Sequence, residues 1–73
     1  MADLDSMILD IIKDSSEDMT VGQVLQAIND AGVKCTYDRA FDRLMSLTSH
    51  RSLETDKVKQ DRGGYKRVFR LVA

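Results

Sequence analysis

A single cysteine, Cys35, carries all the thiol chemistry in these 73 residues. One thiol excludes an internal disulfide framework and a multi-cysteine zinc site, which fits a reducing compartment, and no metal is expected. Cys35 reads as a small, partly buried apolar residue in a turn rather than a redox sensor. The lone histidine, His50, has no companions that would make it a ligand or a catalyst, and it reads as a helix-end surface residue. Long apolar runs are also missing. No segment approaches the roughly 20 residues needed to cross a bilayer, and the N-terminus lacks the basic flank and apolar run of a secretory signal. No membrane partner is expected, and the expected location is cytoplasmic, or nuclear in a eukaryote. Proline is absent, and no internal repeat or low-complexity linker is visible. Nor does the chain hold a nucleophile–base pair, a glycine-rich phosphate loop or a ligand cluster. An enzyme is therefore not expected, and neither is a cofactor.

Charge is balanced overall, with 11 basic against 12 acidic residues, but it is not mixed. Residues 1–33 hold seven acids and only Lys13, a balance of −6, whereas residues 34–73 hold ten bases and five acids, a balance of +5. Two oppositely charged faces follow. The positive half suits nucleic acid or an acidic protein surface. The acidic N-terminal face, with Asp3, Asp5, Asp10, Asp14, Glu17 and Asp18, is either a solvated back surface or a dock for a basic protein partner.

The apolar residues Leu4, Met7, Ile8, Ile11 and Ile12 keep the spacing of one helical face, which predicts a helix over about 3–14. A polar run, Ser15 to Asp18, breaks it. Thr20 stands three residues before Gln23 in a capping-box arrangement, so a second helix should run from about 20 to 31 and stop at Gly32. Its stripe is Val21, Val24, Leu25 and Ile28. Thr36 can cap a third helix over about 36–49, with Tyr37, Ala40, Phe41, Leu44, Met45 and Thr48 expected on the inner face. Beyond it, Leu53–Gln60 and Tyr65–Val72 read as two strands turning at Asp61–Gly64. Tyr65 and Phe69 share a strand face and are expected to be core contacts. Leu9 departs from the first helix's inward stripe, so Leu4, Met7 and Leu9 offer a ridge for a homodimer.

The order helix, helix, four-residue turn, helix, glycine-tipped hairpin, carried by "TVGQVLQAINDAGVKCTYDRAFDRLMSLTSHRSLETDKVKQDRGGYKRVFRL", resembles the winged helix-turn-helix DNA-binding family over nearly the whole chain. The resemblance implies an α+β fold: one domain over residues 1–73, with a three-helix core, a two- or three-stranded sheet and a C-terminal β-hairpin wing over about 53–72. It also implies double-stranded DNA as the partner. The third helix would then enter the major groove with Arg39, Arg43, Ser46 and His50 on its exposed arc, and Thr36 at its start against a phosphate. The wing would bring Lys57, Lys59, Arg62, Lys66, Arg67 and Arg70 to the backbone or the minor groove.

A bland reading stands beside each of these. Wing charges also keep edge strands apart, but that would not require nearly all of them to be positive. On the third helix, Arg39 repels Arg43 and Asp38 repels Asp42 at i, i+4, pairs that a face built only for its own helix would avoid. The function expected on these grounds is sequence-specific DNA binding by a transcriptional regulator of the phage, plasmid or bacterial type. The alternative is a winged-helix protein-interaction module that does not bind DNA.

Overall fold

The computed structural model describes residues 3–72. Its elements, in chain order, are α1 (Leu4–Asp14), β1 (Met19–Thr20), α2 (Val21–Asp30), α3 (Tyr37–Ser49), β2 (Leu53–Lys59) and β3 (Tyr65–Leu71). Each helix begins where the side-chain chemistry says it should. Asp3 caps α1 by accepting from the Ser6 N–H at 2.7 Å. Thr20 and Gln23 close a reciprocal capping box on α2, with bonds of 3.2 and 2.9 Å, and Thr36 accepts from the Arg39 N–H at the start of α3. These bonds satisfy N–H groups that a helix cannot satisfy internally.

Both α2 and α3 end in the same double-bonded reversal, but on different residues. After α2, Gly32 takes a φ of 87° while Val33 and Gly32 donate to the Ile28 and Asn29 carbonyls. After α3, Ser52 and Arg51 donate to Leu47 and Thr48, and Arg51 is held at a φ of 61°. This left-handed position ordinarily belongs to glycine.

The sheet is antiparallel with the order β1–β3–β2. β3 is therefore central, and its Phe69 lies opposite Thr55 on one side and Met19 on the other. The two-residue strand β1 had no pattern of its own in the sequence, and pairing with β3 defines it. Phe69 is fully buried among Ile8, Val24, Ile28, Leu44 and Leu53, with Ala40 and Leu47 in the same cluster. Val68 points to the other sheet face and is also buried.

Three packing expectations need correction. The inner line of α3 runs through Ala40, Leu44 and Leu47, about 60° round the helix from the predicted stripe at ~100° per residue. Tyr37 and Phe41 consequently stand 55% and 38% exposed, while Leu47, outside the predicted stripe, is buried. With Ala40, Leu44 and Leu47 turned to the core where α3 packs on α1, α2 and β2, the side of the helix that carries Tyr37 and Phe41 faces solvent. Tyr65 is the second correction, since it is exposed and only Phe69 of the pair enters the core. Leu9 is the third. It is half-buried and, with Leu4 and Met7, packs against the core cluster rather than standing free of it.

Arg51 generates a stability prediction. A non-glycine residue in the left-handed region costs roughly 1–2 kcal/mol, partly offset by the freedom that glycine adds to the unfolded chain. Arg51→Gly should therefore stabilise the domain by about 0.5–1 kcal/mol and raise its melting temperature by a few degrees. A lower melting temperature would show that the Arg51 side chain contributes packing that outweighs the backbone strain.

Candidate nucleic-acid interface

β2 and β3 pair from Leu53 opposite Leu71 out to Lys59 opposite Tyr65. Gln60 donates to the Gly64 carbonyl and Gly63 donates to the Gln60 carbonyl, closing the tip. Gly63 and Gly64 both have positive φ, 80° and 76°, which two adjacent residues with side chains would resist. From Asp56 through Lys66 every residue is exposed, so this part of the hairpin overhangs the core as a ribbon.

The register sorts the wing's charges onto two faces. Lys57 lies directly opposite Arg67 and Lys59 opposite Tyr65, on the face that carries Phe69 farther along. Lys66, opposite Val58, lies on the other face with Arg70, and Arg62 sits in the turn. Like charges directly across a strand pair destabilise a free hairpin. Among the described residues, Lys57, Lys59, Arg62, Lys66 and Arg67 have no carboxylate within ion-pair distance. Arg67 donates only to the Thr55 hydroxyl, at 3.4 Å.

Arg70 behaves differently. Its guanidinium donates to Asp18 at 3.0 Å and Glu54 at 3.2 Å, with Asp56 at 3.9 Å. Hydrogen bonds to Asp18 and then Glu54 raise its pKa further above the ordinary guanidinium value. It ties the loop before β1 to β2 across the central strand, so its donors serve the sheet.

Arg43 is likewise committed. Its Nε and Nη2 donate to the two oxygens of Asp5 at 2.7 and 2.6 Å, a fork that staples α3 to α1. The 60° rotation of α3 brings this about by turning Arg43 towards α1. The hydrogen bond from Arg43 lowers the Asp5 pKa, partial desolvation opposes it, and the Arg43 and His50 charges add to the lowering.

The remaining α3 candidates divide by position. Asp38, Asp42 and Ser49 lie most directly opposite the buried line. Arg39, Ser46 and His50 occupy one flank of that acidic centre, and Phe41 and Met45 the other. Arg39 is exposed and makes no ion pair with Asp42. Ser46 is half-buried, and the exposed His50 is the helix's C-cap. The Thr36 hydroxyl oxygen is engaged as the N-cap of α3. The structure thus groups Arg39, Ser46 and His50 on one helix flank and Lys57, Lys59, Arg62, Lys66 and Arg67 on the wing, while Arg43 and Arg70 are drawn into internal pairs.

Asp5 makes the α1–α3 staple pH-sensitive. Its pKa in the folded state is below the unfolded value of about 3.8, so its stabilising contribution is present above that value and is lost as pH falls through the folded pKa. Asp5→Asn should lower the melting temperature at pH 7 and narrow the gap between pH 7 and pH 3 melts relative to the parent. Equal gaps in parent and variant would remove Asp5 from the acid response.

No family model matches the chain, and no curated protein matches it. Among solved structures, it is similar to the X-ray structure of a PadR-like transcription factor from Bacteroides fragilis, with a TM-score of 0.81 at 16% sequence identity. The match covers 96% of this chain and 66% of that one, so this chain spans just under two thirds of its neighbour's length. At this identity the likeness establishes architecture: three helices and an antiparallel hairpin arranged as a winged helix-turn-helix.

Proposed function

We propose that the chain is a small sequence-specific double-stranded DNA-binding protein that acts as a transcriptional regulator, of the phage, plasmid or bacterial type. The observation that carries this reading is the wing's set of five uncompensated cations on a ribbon with no core of its own. A hairpin built only for stability would pair Lys57 or Arg67 with a carboxylate, as this protein does for Arg70 and Arg43. Leaving the cations unpaired costs folding energy that phosphate contacts can return on binding. The structural neighbour is described as a transcription factor, which agrees with this reading.

In this arrangement the wing grips the backbone, and Arg39, with Ser46 and His50 beside it, is the part of α3 that reads base edges. Asp38 and Asp42 at the centre of the exposed face are unfavourable next to phosphate but able to accept from cytosine N4. Thr36 adds a contact at the start of α3 through its hydroxyl proton and the first-turn N–H groups. A second copy docking on the part-exposed Leu4, Met7 and Leu9 ridge of α1 would supply a second helix and wing for a two-half-site target. The protein-interaction reading draws on one observation, the exposed Tyr37 and Phe41 beside Asp38 and Asp42 on α3. Such a face suits a basic, apolar protein partner. No helix among the described residues is long and apolar enough to cross a membrane.

Fluorescence-anisotropy titrations of labelled duplexes over a salt series test the proposal. The pair Arg62→Ala with Lys66→Ala should weaken binding to every duplex alike and flatten the log–log salt slope by up to about 0.9 per lost phosphate contact. Arg39→Ala should cost about 1–3 kcal/mol on the preferred sequence and much less on random duplex. Absence of binding by the parent at low salt would exclude the DNA reading and favour the protein module.

A further inference from the structure

The wing holds one residue that neither the core nor the charge pattern accounts for. Tyr65, at 68%, is the most exposed of the large hydrophobic side chains among the described residues. It is the first residue of β3 after the glycine turn, directly opposite Lys59. By strand alternation it shares its face with Lys57, Lys59 and Arg67. Phe69, four residues on, fills the core position on that face, so no packing duty is left for a second ring.

We propose, resting on the DNA-binding reading above, that Tyr65 is a nucleotide contact: its ring lies against the sugar and base edge of the groove that the wing enters. Lys57, Lys59 and Arg67 on the same face meet the phosphates on either side. Three unpaired cations around one solvent-facing aromatic ring match the composition of a nucleotide, whose anionic backbone flanks flat, largely apolar rings and sugars. Cations without the ring would give sequence-independent phosphate grip alone, and a ring without cations would not hold a polyanion. Tyr65 also stands beside the turn that carries Arg62, where the hairpin is narrowest and best able to enter a minor groove. A cross-strand contact with Lys59 would by itself make Tyr65 only a stabiliser of the hairpin, and the experiment separates that role from contact with DNA.

The chain has two tyrosines and no tryptophan, so Tyr37→Phe leaves Tyr65 as its one tyrosine emitter. In that background, acrylamide quenching of tyrosine emission is measured with and without saturating duplex, and binding is followed in parallel by anisotropy of the labelled duplex. Quenching should fall when duplex is bound. Separately, in the parent sequence, Tyr65→Ala should weaken binding about tenfold, Tyr65→Phe should bind within about twofold of the parent, and both should melt where the parent melts. Binding by anisotropy with unchanged acrylamide access overturns the Tyr65 contact and leaves the wing reading standing. A lower melting temperature for Tyr65→Ala with unchanged affinity also overturns it, and assigns the ring to hairpin stability. No binding of the parent to any duplex ends both readings together.

Discussion

Phe69 is the point on which the rest of the structure depends. It sits at the middle of the central strand, fully buried, with β1 and β2 hydrogen-bonded on either side and the three helices closing over it. A 73-residue chain has little core to spare, and the loss of one such ring removes several kcal/mol. Because the hairpin is anchored there and at Leu53, its outer half needs no apolar residues of its own. Residues 56–66 are all exposed as a result, and the cations among them are free to serve a partner. One buried ring thus underlies both the stability of the sheet and the freedom of the wing.

Two uses of arginine follow from the same economy. Arg43 and Arg70 spend their forks on Asp5 and on Asp18 with Glu54, fastening α1 to α3 and the loop before β1 to the sheet. Both draw on the acidic first third of the chain, whose carboxylates are therefore partly structural, not merely a surface that keeps polyanions away. The cations farther out on the wing have no such partners. The near-neutral total charge is the sum of a net-negative body, in which Arg43 and Arg70 are paired, and a positive wing whose cations have no carboxylate partner.

Much of the fold was legible in the chain because its signals are local. Thr20 with Gln23, and Thr36, announce helix starts through bonds spanning three residues, and Gly32 and the Gly63–Gly64 pair mark reversals that need positive φ. What was not legible depends on distant partners. Asp5 and Arg43 are 38 residues apart, Asp18 and Arg70 are 52 apart, and nothing in either neighbourhood points to the other. The two-residue β1 exists through its pairing with Phe69 and Val68. Counting Tyr37 and Phe41 as core misjudged the rotation of α3, because the line Tyr37, Phe41 and Met45 is as apolar as the line Ala40, Leu44 and Leu47, and packing on distant α1, α2 and β2 selects between them. The same rotation withdrew Arg43 from the exposed arc. Of the candidate site, the wing was readable as a run of positive charge, whereas the exposure of Tyr65 beside it was not.

The wing cations, with the Arg39 flank of α3, form the surface proposed to meet duplex DNA. Amide chemical-shift mapping during titration with duplex tests it most directly, because it reports every surface at once. Shifts should concentrate at residues 57–67 and around Arg39, with the α1 amides near Asp10 and Asp14 unchanged. Shifts confined to Tyr37–Phe41 and α1, or none on the wing at low salt, would contradict it.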